Sequence, residues 1–160
     1  MINRNLASAL VISGSLIGAG QALADWQYTR WGMSPTEVIE ASGGAAKPHN
    51  NPADNGPTQR SKVVAPYRSG EHLFRSRFVF DPADRLIIVM LEHSDPSKCP
   101  ELYRDLTSAY GPPQSFGVGR SLPKWWDKKN ANAVLLIDTL KSSCSIQYTP
   151  LTTPGAPGGL

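Results

Sequence analysis

The sequence lacks the long apolar runs, dense basic clusters and catalytic motifs that assign many chains to a class. No segment of its 160 residues approaches the run of roughly 18 apolar residues that a membrane-spanning helix needs. The basic residues are scattered and the formal net charge is only +3, so the dense basic stripe of a nucleic-acid-binding protein is missing. Neither a Gly-x-Ser-x-Gly elbow nor a Gly-x-x-x-x-Gly-Lys loop is present. These absences argue against nucleic-acid partners, an integral membrane segment in the mature chain and two common enzyme classes.

The first 24 residues have the three parts of an export signal. Arg4 supplies a positive charge, Leu6 to Ile17 form an apolar stretch, and Ala22-Leu23-Ala24 is a small-x-small cleavage site. We therefore expect residues 1–24 to be removed and the protein to be periplasmic or secreted. An uncleaved membrane anchor made of the same segment is the alternative. No cysteine lies near the cleavage site, which argues against a lipid-anchored protein.

Cysteine is scarce, with Cys99 and Cys144 as the two examples. An even number in an oxidising compartment predicts a disulfide, here between the start of a helix and the last strand. Two free, buried thiols are the alternative. A zinc site needs about four ligands in clustered spacing, which His49, His72 and His93 do not form with the cysteines. We therefore predict no metal and no cofactor.

Two segments have the sequence signals of helices. Ser34-Pro35-Thr36-Glu37 combines an N-cap serine, a proline at the first helical position and a capping-box glutamate, and Gly43-Gly44 ends this short helix. The second helix starts after a candidate cap at Ser97, repeats apolar residues at helical spacing, and ends at Gly111-Pro112-Pro113.

Six strands complete the pattern, three after each helix. They are predicted at 62–67, 71–80, 85–92, 124–127, 132–138 and 143–149. This order predicts an α+β fold with two layers, in which two helix-plus-three-strand units pack their helices on one face of an antiparallel sheet. A single domain would cover residues 25–150, with a flexible insertion at 43–60 and a disordered tail at 151–160.

The residues Gly32-Met33-Ser34, followed by Glu37-Val38, also carry a family resemblance. They resemble the helix opening of small exported bacterial envelope proteins, which include the outer-membrane assembly lipoproteins and the β-lactamase inhibitor proteins of the helix-plus-sheet repeat type. The resemblance implies a protein-binding module of the cell envelope. It transfers no functional residue, because the matching residues open a helix and do no chemistry.

The candidate binding residues are two tryptophans and two arginines. Trp125 and Trp126 are neighbours on a strand, so their rings face opposite sides of the sheet, and an exposed tryptophan can anchor a protein or a sugar. Packing in the core is the alternative. Arg75 and Arg77 share one face of a strand and could pair with an acidic partner, or form a solvated outer face.

The hypothesis that follows is an exported, non-catalytic periplasmic protein that binds an envelope protein. The alternatives are a sugar or cell-wall binder with an exposed tryptophan, and a small enzyme with a loop-assembled site. For the enzyme, His72, His93 and Asp95 are the first suspects. Because neighbouring residues at a strand end point in alternate directions, the run Glu92-His93-Ser94-Asp95 is not expected to form a triad by itself.

Overall fold

The computed structural model describes residues 26–114, 122–139 and 142–151. The predicted leader at 1–24, and the predicted tail beyond Leu151, lie outside the described residues. Within these ranges there are two α-helices, α1 Pro35–Ala41 and α2 Cys99–Tyr110. The strands are β1 Lys47–Pro48, β2 Arg60–Ser69, β3 His72–Phe80, β4 Leu86–His93, β5 Lys124–Asp127, β6 Asn132–Asp138 and β7 Cys144–Pro150.

The seven strands form one sheet in the order β1-β2-β3-β4-β7-β6-β5. Every pair of neighbouring strands is antiparallel. All six predicted strands are present, and the fold is mixed α+β as predicted. The apolar run in β4 takes a central position in the sheet, between β3 and β7.

The core lies on one face of this sheet. Val38 of α1 and Leu102 and Leu106 of α2 belong to the same buried cluster as alternate residues of the strands, such as Phe78 and Ile146. We call this the core face, and the opposite side of the sheet the outer face. Burial of these side chains away from water supplies most of the driving force for folding.

The two helix starts differ in how well the sequence predicts them. Ser34 caps α1 as predicted, and Glu37 reaches back to the Ser34 backbone, which completes the capping box. The candidate cap at Ser97 is wrong, because a short 3-10 turn at Pro96–Lys98 precedes α2 and Asp95 caps that turn. The start of α2 has no side-chain cap.

The predicted disulfide is confirmed, and the alternative of two free thiols is excluded. Cys99 is the first residue of α2 and Cys144 the first of β7, and a bond joins their sulfurs across a sequence separation of 45. It ties α2 to the centre of the sheet. In the chain-entropy view, closing a loop of this size stabilises the fold by about 4 kcal/mol.

The segment predicted as a flexible insertion contains local structure and contacts the outer face. Its short strand β1 pairs with Val63 and Val64 of β2. A 3-10 turn follows at Pro52–Asp54, and Asn51 caps it through its side chain. The insertion thereby carries polar residues across the edge of the sheet.

Candidate functional site

A cavity of about 510 Å³ opens between α2 and the strands of the core face. We call it the helix–sheet cleft. Its apolar lining comes from α2 and from three different strands: Phe74, Leu91, Leu102, Leu106, Ala109 and Ile146. Charged side chains of Glu71, Glu101, Arg104 and Asp105 join this lining. The size, and the combination of apolar walls with a few polar groups, are typical of small-molecule sites.

Two histidines and an aspartate form a hydrogen-bonded row at this cleft, which we call the histidine chain. His72 begins β3 and His93 ends β4, and Nδ1 of His72 lies 2.9 Å from Nε2 of His93. Nε2 of His72 lies 2.8 Å from Oδ2 of Asp105 on α2. The Asp95 backbone N–H donates to Nδ1 of His93 at 2.9 Å. The row runs from a backbone amide to a carboxylate at the cleft.

The row determines where the imidazole protons sit when both rings are neutral. Nδ1 of His93 accepts a hydrogen bond from the Asp95 backbone N–H, so the ring proton of His93 lies on Nε2. This N–H donates to Nδ1 of His72. The proton of His72 must then lie on Nε2, where it is donated to Asp105. Both neutral rings therefore have one donor and one acceptor in use, and all bonds point the same way.

Burial supports the neutral form of His93. The pKa of His93 is lowered from its ordinary value of 6.5, first by burial and then by the neighbouring His72 ring. The Asp95 carboxylate opposes this shift. A proton on Nδ1 of His93 would also break the bond from the Asp95 amide, since that nitrogen could no longer accept.

The structure brings together two of the three residues suspected from the sequence. His72 and His93 meet, but the Asp95 carboxylate accepts from the backbone and the hydroxyl of Ser97 instead. These bonds lower the pKa of Asp95. The acidic member is Asp105, which sequence reasoning missed. It lies on the polar side of a helix, and only the packing of α2 against β3 places it beside His72.

Three tyrosines add hydroxyl groups to the cleft: Tyr67, Tyr110 and Tyr148. Tyr67 and Tyr148 both pack against the indole of Trp26, with ring centroids 5.2 and 6.2 Å away. Burial raises the pKa of Tyr148 well above 10.0, and the neighbouring Tyr110 and Tyr67 raise it further. The Tyr148 hydroxyl therefore keeps its proton at physiological pH.

The two candidate arginines lie on the outer face and pair with carboxylates of their own chain. Glu92 of β4 accepts from Nη1 of Arg75 at 2.9 Å and from Nε of Arg77 at 2.6 Å. Asp54 of the insertion lies 3.5 Å from Nη2 of Arg75 and 2.6 Å from Nε2 of His49. We call these five residues the outer cluster. It fastens the insertion to the sheet.

The two candidate tryptophans lie on opposite faces, as their alternation predicts. Trp125 is 1% exposed in the core, and its indole N–H donates to the Gly111 carbonyl at 2.9 Å. It offers no surface to a partner. Trp126 is partly exposed on the outer face, where the Lys124 ammonium lies 4.4 Å from its ring centroid. Of the pair, Trp126 is therefore the candidate contact for a protein partner.

Residues 26–114, 122–139 and 142–151 hold no group of three or more potential metal ligands. Neither helix in these ranges combines the length and the hydrophobicity needed to cross a bilayer. Comparison of the chain with protein-family models, curated proteins and solved structures found no match.

Proposed function

We propose that this chain is an exported, non-catalytic binding module whose ligand occupies the helix–sheet cleft. The observation that carries the proposal is the cleft itself, a cavity of about 510 Å³ lined by apolar side chains, three tyrosines and the His72 and Asp105 members of the histidine chain. Such a lining binds the body of a small ligand by burial and orients it by a few polar contacts. The proposed binding site is therefore the cleft, and the arginines and tryptophans selected from the sequence are not its main contacts. Binding of an envelope protein at Trp126 is a separate proposal.

The bonding of the histidine chain supports binding over catalysis. Within the described residues, the histidine rings have as partners each other, a backbone amide and Asp105, and no hydroxyl or thiol is bonded to either ring. Both cysteines are in the disulfide. A nucleophile activated by a neighbouring base is thus missing from the arrangement.

The test is a fragment screen by ¹H–¹⁵N NMR with a matched pair of variants. Ala109 and Ser108 are adjacent, exposed residues of α2, and of the two Ala109 lines the cleft. Ala109→Trp should fill the cleft and abolish the binding of fragments that shift its amides, whereas Ser108→Trp should leave binding intact. Fragments that bind elsewhere, or that still bind Ala109→Trp, would contradict the proposal.

A small acid–base enzyme is the second candidate, and the convergence of His72 and Asp105 at the cleft favours it. A neutral imidazole donor beside a carboxylate can give and take a proton without a nucleophile. The test is hydrogen–deuterium exchange at carbon atoms of the bound fragments in D₂O. Exchange that occurs with the wild type and is lost in His72→Gln would support the enzyme. If exchange is no faster than in solvent without the protein, only the binding function is supported.

We also propose that the fold consists of two helix-plus-three-strand units, in two layers, as in the envelope proteins that the opening of α1 resembles. The strand order supports this, since the meanders β2-β3-β4 and β5-β6-β7 meet at β4 and β7. The disulfide suits an oxidising compartment and supports export. Mass spectrometry of the secreted protein tests the leader, because a mature chain beginning at Asp25 is expected.

A further inference from the structure

We propose that the hydroxyls of Tyr67, Tyr110 and Tyr148 form a hydrogen-bond donor site in the helix–sheet cleft, which selects a neutral carbonyl compound with an apolar ring body. This inference rests on the proposed binding function and names the chemical class of its ligand. It concerns a different part of the cleft lining from the histidine chain.

The geometry gathers three hydroxyl groups from three elements of the fold. Tyr67 comes from β2, Tyr148 from β7 and Tyr110 from the last turn of α2, and all three line the cleft. Trp26 holds two of the rings, since its indole packs edge-on against Tyr67 and is tilted against Tyr148. A fixed, aromatic frame of this kind presents its hydroxyls with little loss of side-chain entropy on binding.

The hydroxyls are available as donors. The Gln27 side-chain amide donates to the Tyr67 oxygen at 3.1 Å, so the hydrogen of that hydroxyl remains for another acceptor. Tyr110 and Tyr148 are mutual neighbours, and one bond between their hydroxyls would use one of their two hydrogens. At least two hydrogens of the three hydroxyls are therefore left to point at a ligand oxygen.

The surrounding charge favours a neutral acceptor over an anion. Burial has the largest effect on the pKa of Tyr110 and raises it, and the Asp127 carboxylate raises it further, against a lowering by Tyr148. The same carboxylate raises the pKa of Tyr148. A negative charge close enough to disfavour a tyrosinate also disfavours a bound carboxylate. A carbonyl oxygen accepts the same hydrogen bonds without that repulsion.

The apolar lining defines the rest of the ligand. Leu91, Leu102, Leu106 and Ile146 face the same cavity as the tyrosines, and a volume of about 510 Å³ is ample for a bicyclic ring. A flat hydrocarbon body with one carbonyl group on its rim matches these walls.

The experiment compares three probes of the same shape by ¹H–¹⁵N NMR titration of the full mature chain. They are 1-indanone, which carries a neutral carbonyl, indane, which has no acceptor, and indane-1-carboxylate, which is an anion. We expect 1-indanone to shift the amides of the cleft and to bind about tenfold more tightly than indane, as one or two neutral hydrogen bonds would give. We expect the carboxylate to bind more weakly than the ketone.

Three conservative variants assign the preference to the hydroxyls. Tyr67→Phe, and the double variant Tyr110→Phe/Tyr148→Phe, each remove one available donor and keep the rings, so each should reduce the preference for 1-indanone over indane by about threefold or more. Tyr103→Phe is the control, because Tyr103 lies on α2 at 37% exposure and does not line the cleft. It should leave the preference unchanged.

The outcomes separate this inference from the function on which it rests. Equal affinity for 1-indanone and indane in the cleft would overturn the donor site while keeping the cleft as a binding site. Tightest binding of the carboxylate would overturn the preference for a neutral ligand. If none of the probes shifts the cleft amides, the inference fails, and the comparison of Ala109→Trp with Ser108→Trp still decides the proposed function.

Discussion

Two polar clusters lie on opposite faces of the same sheet, and they differ in how their hydrogen bonds and ion pairs are arranged. The outer cluster of His49, Asp54, Arg75, Arg77 and Glu92 closes on itself, since two carboxylates and two guanidiniums pair with each other. The histidine chain instead runs in one direction, from a backbone amide to Asp105, whose side chain is 67% exposed at a cavity.

The difference is consistent with a structural role for the outer cluster and with the ligand-binding role that we propose for the cleft. The charges of the outer cluster pair with one another, and the contact of Asp54 with Arg75 fastens the insertion to the sheet. An open chain leaves the Asp105 carboxylate, whose second oxygen is not used by His72, at the edge of a cavity. The candidate residues chosen for charge alone, Arg75 and Arg77, are in the closed cluster, whereas His72 and His93 are in the open one.

The disulfide should give the largest effect and should act on the cleft more than on the outer face. Replacing Cys99 and Cys144 by alanine frees the start of α2, which carries Asp105, from β7. We expect a loss of about 4 kcal/mol in the free energy of unfolding and a melting temperature lower by about 10 °C or more. Amide hydrogen exchange should accelerate in α2 earlier and more strongly than it does in the insertion. An unchanged melting temperature, or faster exchange in the insertion first, would contradict this assignment.

Removing the central carboxylate of the outer cluster should give the next largest effect. Glu92→Gln leaves the guanidinium of Arg77, whose side chain is 12% exposed, with weaker pairing. Because Glu92 is only partly buried, we expect a loss of about 1 to 2 kcal/mol in unfolding free energy. Glu101→Gln is the control, since its exposed pair with Lys98 is worth about 0.5 kcal/mol or less. Equal losses would contradict a stabilising role for the pairing of Glu92 with Arg75 and Arg77.

Acid should affect the histidine chain through His93. Its pKa is lower in the folded protein than the ordinary 6.5, so the unfolded chain takes up a proton first as the pH falls. This contribution to stability is complete above about pH 6.5 and is lost as the pH falls through the lower pKa of the folded state. His72, Asp95 and Lys98 are the neighbours that modulate it. Denaturant unfolding from pH 8 to pH 5 should show a shallower pH dependence in His93→Gln than in the wild type; identical curves would disagree with the chain as described.

The smallest effect is expected beneath the cleft, at Ser76. Its hydroxyl is fully buried and has no hydrogen-bond partner within the described residues. Ser76→Ala removes a group that is costly to bury, so unfolding free energy should stay the same or rise by about 1 kcal/mol. Denaturant unfolding at pH 7.5 measures it. A clear loss of stability would mean that this hydroxyl makes an interaction that the present account omits.

Much of the fold could be predicted because its signals are local. The alternation in β3, the apolar run in β4 and the capping box at Ser34 each depend on a few neighbouring residues, and the structure contains all three elements. The cap at Ser97 was predicted wrongly because Asp95 precedes it and takes the capping role in an extra 3-10 turn. Local signals of similar strength compete within two residues there.

The candidate site could be predicted only in part, because its members are distant in sequence. His72 and His93 were suspected as titratable groups near strand ends, but their contact follows from the register of β3 with β4, which places His93 opposite Phe74. Asp105 could not be selected among the polar residues of α2 without knowing which strand the helix crosses. Likewise, Asp54 lies in a segment with no periodic pattern, so its pairing with Arg75 had no sequence signal.

The most direct test of the contrast between the two clusters is a long-range ¹H–¹⁵N correlation of the imidazole rings at pH 7.5, recorded before and after addition of 1-indanone. We predict that the neutral rings of His72 and His93 carry their protons on Nε2, and that the ketone shifts the signals of His72 while those of His49 stay in place. A proton on Nδ1 of His72, or a ketone-induced shift of His49 as large as that of His72, would contradict the assignment of the functional site to the open chain and its cleft.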